Sequence, residues 1–285
     1  NGFNLYAPAW ILFTTPPWVL VLVAAGIVVA IKRRKENNWT PLLWLLWFVI
    51  PIARVFAPNT TIYGGIRQIM EFLPAMALLA GLGADQIVKW LYGHMLHRKK
   101  SLMAPVVKLL PILIIIGFIP HLIVMVKLHP NQNVYFNFLI GGLSGAKEKN
   151  VPYWGNSFGN AYWQAIDWLN KNAPAGSKLA LIQGTTLNIP RIQLRDDLRF
   201  SNSFWSGIYR DGEYLVELTH YDKRVYPFAW EYVERMLEPV YEVQIDGVAI
   251  AKVWKNDLEH TKGEFNKTEI VFNRNITKHI QDGQL

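Results

Sequence analysis

At 285 residues the chain has room for about two domains, and without a single cysteine it can hold neither a disulfide framework nor a thiolate metal site. Its 51% hydrophobic content and 12 Trp are high for a protein wholly in water and low for one wholly in lipid. Residues 1–127 carry 12 Lys+Arg against 3 Asp+Glu and residues 128–285 carry 17 against 18, so the net +8 comes from the apolar half and argues for membrane topology rather than nucleic acid.

The chain opens on Asn1 with no charged stretch ahead of a short apolar run, and it reads as a piece of a longer protein rather than one that starts with a signal peptide. Residues 1–15 mix apolar, aromatic and polar side chains in a way that suits a membrane interface. Pro16 and Pro17 then stand where a helix can begin. Residues 18–31 are uninterrupted apolar and, with 11–17, approach the roughly 20 residues that span a bilayer. Lys32, Arg33, Arg34 and Lys35 end them. A second span is expected over 41–57, interrupted by Pro51 and Arg54, and a third over 69–91, followed by His94, His97, Arg98, Lys99 and Lys100. The fourth is expected over 102–126, with Lys108 near its start and His121 near its end.

The basic clusters after spans one and three fall on one side, which the positive-inside rule makes cytoplasmic. Residues 58–68 and everything after Lys127 then lie outside. The expected fold class is thus an α-helical multi-pass membrane segment of four spans over 1–127, followed by a small extracytoplasmic α/β domain over 128–255 and a polar C-terminal extension over 256–285.

This topology sorts the charges within the apolar half. Arg54, Arg67, Glu71 and His121 come near the outer ends of their spans, and Asp85 and Lys89 near the inner end. Arginine offers a planar fork for phosphate oxygens, so the outer group is a candidate pocket for a lipid phosphate or pyrophosphate. The alternative is structural: Arg67 pairs with Glu71 one helical turn away and Arg54 snorkels to the interface.

The stretch 62–90 opens with Tyr63, Gly65 and Arg67 in a Tyr-x-Gly-x-Arg pattern and continues through Leu73-Pro74 to Leu78-Leu79-Ala80-Gly81-Leu82-Gly83. A second block holds His129, Pro130, Gln132, Val134, Tyr135, Phe136 and Asn137, then Gly141 and Gly142, then Tyr153, Trp154 and Gly155. The two blocks, in this order, resemble polyprenyl-phosphate-sugar glycosyltransferases of the GT-C fold, most of all the protein mannosyltransferase relatives in glycosyltransferase family 39. Pro152 stands where that pattern has Asp.

The resemblance implies transfer of a sugar from a polyprenyl-phosphate donor to a protein, lipid or glycan acceptor on the outer face, with membrane lipids as surroundings. That chemistry needs a carboxylate to deprotonate the acceptor hydroxyl and positive charge for the departing phosphate. In such enzymes the catalytic Asp lies in the first outer loop. Nothing here matches that loop, the first acidic residue being Glu36 on the expected cytoplasmic side, so no catalytic residue is nominated. Arg67 is the leading candidate for the donor phosphate, with Arg54 and His121 as neighbours. His129, Gln132, Asn137, Tyr153 and Trp154 are the candidate sugar or acceptor contacts. No metal or cofactor is expected. The rival from another class is a non-enzymatic membrane-anchored module that presents an extracytoplasmic binding domain. A transporter would show internal repeats, and the sequence has none.

In the outer half, 134–138 is read as a short strand or an interfacial segment with Tyr135, Phe136 and Phe138 toward headgroups. Gly155-Asn156-Ser157-Phe158-Gly159 matches a G-x-S-x-G nucleophile elbow, with Asp211 and His220 following in hydrolase order. An elbow needs a buried strand directly before the serine, and 147–153 is charged and holds Pro152, so Ser157 is read instead as a helix-capping residue. Tyr162, Ala165, Ile166 and Leu169 have helical spacing, and 178–183 and 214–218 read as strands. Another strand is expected within 187–199, where Arg195-Asp196-Asp197 is read as a solvated loop. Ala229, Tyr232, Val233, Met236 and Leu237 make a second helical face. Asp246-Gly247 is a hairpin signal that pairs Ile245 with Val248 and Val243 with Ile250. A strand beginning near Glu269 and two glycosylation sequons, at Asn266 and Asn275, complete the reading.

Overall fold

The computed structural model describes residues 3–33, 38–58, 60–97, 109, 112, 114–183, 189–221 and 227–263. The chain divides into two compact units, Asn1–Trp154 and Gly155–Leu285.

The first unit is helical, with α1 (Tyr6–Thr14), α2 (Pro17–Arg33), α3 (Thr40–Phe56), α4 (Phe72–His97), α5 (Ile119–Lys127) and α6 (Gly142–Glu148). Prolines begin several of these helices, as Pro17 does α2 and Pro41 and Pro120 the first turns of α3 and α5, because the missing N–H costs nothing there. Two apolar clusters hold the unit together. Ala7, Ile11, Val55, Ile69 and Phe72 join α1 to α3 and to the start of α4. Val23, Val29, Ala30, Leu79 and Leu82 join α2 to α4.

Helices α2 and α4 touch backbone to backbone. A Cβ on Gly26 would lie 1.9 Å from the Leu79 carbonyl oxygen, and one on Gly83 would lie 1.9 Å from that of Leu22. Small residues that bring two helix axes this close are the usual contact of helices in lipid, where apolar burial gives no drive of its own.

The expected four spans are not what the chain forms. Among the described residues there are eight α-helices, and only Phe72–His94, at 23 residues, is both long and apolar enough by itself to cross a bilayer. The expected first span is broken: Tyr6–Thr14 and Pro17–Arg33 meet at 118°, because Thr15 is extended and Pro16 and Pro17 cannot continue the α1 ladder. The second, Thr40–Phe56, is 17 residues, or about 26 Å at 1.5 Å per residue against a hydrocarbon core of about 30 Å. Of the fourth, Ile114–Lys127 is described as a shorter apolar helix. Lys108 and most of 102–113 lie outside the described residues, as do Arg34, Lys35 and Arg98 to Lys100.

The second unit carries α7 (Asn160–Asn172), α8 (Pro227–Met236) and strands β1 (Lys178–Leu181), β2 (Arg199–Phe200), β3 (Tyr214–Leu218), β4 (Pro239–Ile245) and β5 (Val248–Lys255). They form a five-stranded mixed sheet in the order β2-β1-β3-β5-β4. Strand β1 lies parallel to β2 and β3, while β5 lies antiparallel to β3 and β4. Ala180, Ile182, Leu215 and Trp254 pack under Ala229, Tyr232, Val233 and Leu237 of the α8 region. The neighbour of Leu215, Tyr214, meets the ring of Trp168 on α7. Adjacent strand residues point to opposite faces, so α7 and α8 cover opposite sides of the sheet.

The elements of this unit follow the sequence periodicity closely, with three departures. In the hairpin, Asp246 and Gly247 take φ of 47° and 76° and Ile245 pairs with Val248, but a bulge places Val243 opposite Ala251 rather than Ile250. The strand expected within 187–199 is reduced to β2, at 199–200. Arg195-Asp196-Asp197 is a loop with Asp196 exposed, as expected, but Arg195 and Asp197 tie it down. The Arg195 guanidinium donates to the carbonyls of Asn170 (2.6 Å) and Ala173 (2.8 Å) at the end of α7, and Asp197 both accepts from Arg195 and takes the Gly176 N–H at 2.9 Å. These bonds hold the Asp197 carboxyl down at about 2. The residues before Ser157 are turns rather than a strand, and its buried hydroxyl accepts the Ala161 N–H at 2.9 Å, a helix-end role and not that of a nucleophile. The expected strand near Glu269 and the sequons at Asn266 and Asn275 lie outside the described residues.

Candidate functional site

The turn between α3 and α4 is built from the inside out. Gly64 and Gly65 are buried and both take φ of 68°, a region where a side chain is strained. The Gly65 N–H donates to the Tyr6 hydroxyl at 2.9 Å, and a Cβ on Gly65 would meet the Trp10 ring at 3.1 Å. Ile69 and Phe72 are fully buried. With its inner side held in this way, the short 3-10 turn Arg67–Ile69 turns Arg67 and Glu71 outward.

Arg54 reaches this turn from the last turn of α3. Its Nη2 donates to the Gln68 carbonyl at 2.9 Å and to Glu71 Oε1 at 3.2 Å. The partner of Glu71 is therefore Arg54, from another helix, and not the Arg67 one turn away that sequence spacing offered. Both side chains of the pair are more than half exposed, and exposed pairs contribute about 0–1 kcal/mol, so an anion can compete for Arg54 at small cost. The Arg67 guanidinium lies 5.8 Å from the centre of the Tyr63 ring.

An apolar groove runs along α4, beginning at Pro74, just past this turn. It is lined by Trp44 of α3 and by Pro74, Ala77, Leu78, Gly81 and Leu82, has a volume of about 640 Å³, and stands open to its surroundings. Pro74 is three residues past Glu71, about 4.5 Å along the helix, and Leu82 is about 12 Å further. In the sequence Pro74, Leu78, Gly81 and Leu82 stand only as part of the resemblance and none is named as a site residue, although their helical spacing in a small-residue stretch is visible.

None of the other candidates takes part in the hydrogen bonds of Arg54 to Glu71 and to the Gln68 carbonyl, while Tyr153 lies within electrostatic reach of Tyr6, whose hydroxyl holds Gly65. His121 lies on α5 with its ring edge-on to Tyr135 at 5.1 Å. Gln132 Nε2 lies 3.0 Å from His129 Nδ1 and donates to the Met125 carbonyl at 3.2 Å, and the His129–Pro130 bond is cis. Asn137 is 2% exposed. Its amide donates to the carbonyls of Leu12 (2.8 Å) and Thr15 (2.6 Å) and accepts the Leu139 N–H (3.0 Å), while its own N–H donates to Phe13 (2.7 Å). It thereby satisfies the carbonyls that α1 leaves open at its end. Phe136, expected toward headgroups, is 5% exposed and packs on Trp10 at 5.2 Å; Phe138 is exposed. Tyr153 takes φ of 63° and is partly exposed. Trp154 is buried, with Lys147 Nζ at 5.7 Å from its ring centre.

Compared with protein-family models, curated proteins and solved structures, the chain matches none.

Proposed function

We propose that this chain is part of a membrane glycosyltransferase that takes a sugar from a polyprenyl-phosphate donor and passes it to a protein, lipid or glycan acceptor on the outer face of the cell membrane, with the second unit extracytoplasmic. The observation that carries the reading is an apolar groove along α4 whose first lining residue on that helix, Pro74, follows Glu71 by three residues, Glu71 itself being the partner of Arg54. An amphiphile with an anionic head and a long apolar tail fits both parts at once. The close contact of α2 with α4 through Gly26 and Gly83 supports a lipid setting, as do outward apolar side chains such as Val21, Leu43, Ile50 and Leu122.

In the transfer, the acceptor oxygen attacks the anomeric carbon, the bond from that carbon to the phosphate oxygen breaks, and polyprenyl phosphate leaves with the electron pair. Arg67, with Arg54, stabilises the charge that grows on that phosphate. The acceptor proton goes to a carboxylate base that is assigned to no residue of this chain. His121, His129, Gln132, Tyr153 and Trp154 stay as candidates of lower rank, and Asn137 holds the fold.

The test is binding of a polyprenyl phosphate to the purified chain at two salt concentrations, beside the uncharged polyprenol of the same length. The expected result is phosphate-dependent binding that weakens about 10- to 100-fold in Arg67→Ala, the loss of a charge-assisted hydrogen bond. Equal binding by wild type and variant favours a second reading, a non-enzymatic membrane-anchored binding module, in which the charges at the turn between α3 and α4 only fix the helix ends. The existing Arg54–Glu71 pair is the observation on its side.

A further inference from the structure

The carboxyl ends of β1 and β3 in the second unit offer a second candidate crevice. Strand β1 is flanked by β2 and β3, both parallel to it. The chain leaving β1 passes by way of Arg191–Gln193, where Asn170 of α7 donates to the Gln193 carbonyl at 2.6 Å. The chain leaving β3 goes to α8, on the opposite face. Among the described residues, the chain after β1 is next found against α7 and the chain after β3 next forms α8 on the opposite face, and a reversal of this kind beyond the carboxyl ends of neighbouring parallel strands is where open α/β sheets hold their ligands.

Buried polar atoms without partners sit at that point on both strands. The Ile182 N–H donates to the Val216 carbonyl at 3.0 Å, so the ladder runs one step past β1, to the residue before Gln183. Gln183 is 3% exposed, and its Oε1 finds no hydrogen-bond donor among the described residues. Just past β3, the buried Nδ1 of His220 likewise finds no partner among the described residues. The His220 ring stacks on that of Tyr221 at 4.8 Å and 26°, and Tyr221 lies within electrostatic reach of the buried Tyr162 in the first turn of α7. Buried polar groups are nearly always satisfied, and two orphans flanking one crevice mark where a ligand's groups would complete them.

We propose that this crevice binds a neutral saccharide, whose hydroxyl groups donate to Gln183 Oε1 and pair with His220 Nδ1 while the C–H face of the sugar ring packs on Tyr221. Hydroxyls suit both orphans because each can donate and accept. The orphaned groups are a neutral amide and an imidazole that burial keeps uncharged at neutral pH, so they offer a charged ligand nothing to offset its desolvation. The site lies in the second unit alone and is independent of the donor-phosphate reading.

The experiment is saturation-transfer NMR on the full chain with glucose, galactose, mannose and N-acetylglucosamine, each at millimolar concentration, with inorganic phosphate as a separate arm. One or more of the sugars is expected to bind, to shift the His220 ring resonances, and to lose affinity about tenfold or more in Gln183→Leu and in His220→Phe. Both variants should melt no lower than wild type at neutral pH, since each removes an unpaired buried polar group. The proposal is overturned if none of the four sugars binds, if binding leaves the His220 resonances unmoved or survives both substitutions, or if phosphate rather than sugar moves them. The ring shift reads the site even where a substitution prevents folding.

Discussion

The replacement Asn137→Ala separates a residue that holds the fold from one that touches a ligand. Three groups lose their partner at once, the buried carbonyl of Thr15 and the part-buried carbonyl of Leu12 and N–H of Leu139. A buried polar group left unpaired costs about 1–3 kcal/mol. Because Leu12 and Leu139 are 44% and 49% exposed and their groups can turn toward water, the low end of that range applies, giving at most about 3 kcal/mol for the three groups together. At about 2–4 °C per kcal/mol for a unit of this size, the first unit should melt lower by at most about 6–12 °C. Circular dichroism against temperature measures this, and loss of amide-exchange protection at Leu139 locates it. Asn137→Asp should cost more, since it turns a carboxylate toward two carbonyls. If Asn137→Ala melts as wild type does and instead loses sugar or acceptor binding, the reasoning is refuted and the residue is a ligand contact.

Other outcomes follow from the same geometry. Gly83→Ala should destabilise the first unit, because the overlap with Leu22 costs about 1–3 kcal/mol while the gain in helix propensity is only about 1 kcal/mol; a raised melting temperature would mean that α2 and α4 are not in backbone contact. At Gly81 an added Cβ meets nothing within 4 Å and the position lines the open groove, so Gly81→Phe should leave the melting temperature unchanged or higher yet block polyprenyl-phosphate binding by filling the groove, and binding that persists argues against the groove. Burial lowers the His220 pKa from 6.5 to about 4. The unfolded chain therefore takes up this proton first as pH falls, and the second unit loses stability between pH 6.5 and about 4, by about 3 kcal/mol at most. Denaturant titrations of wild type and His220→Leu at the two ends of that window should differ by this amount, and parallel curves would contradict it.

The second unit was largely legible in its sequence because its elements are amphipathic and short. Tyr162, Ala165, Ile166 and Leu169 form one face of α7, and β3 runs over the 214–218 expected of it. The bulge beside Val243 escaped, since one extra residue in a ladder leaves no mark on an alternating pattern, and so did the shrinking of the strand expected within 187–199 to 199–200. The first unit was legible in composition and not in architecture. Apolar length alone suggested four spans, but the turn at Thr15 and Pro16 and the 17-residue limit of α3 divide that length differently. In the candidate site Arg67 and Arg54 were visible as charges, yet nothing in local spacing could show that Glu71 would pair across helices with Arg54, or that Asn137 would close a helix end more than 120 residues away.

What the sequence by itself determined is what depends on neighbours in the chain: the basic excess of the apolar half, the helix and strand periods of the second unit, the turn at Asp246-Gly247, and the glycines that let 64–65 take a left-handed backbone. Only the tertiary structure decided which charges meet, which amides are used up in the fold, where α3 and α4 leave a groove, and which polar atoms at the ends of β1 and β3 lack partners. Pair contacts between distant segments depend on the packing of whole faces, and many sequences share one periodicity while a single arrangement of their faces sets each distance.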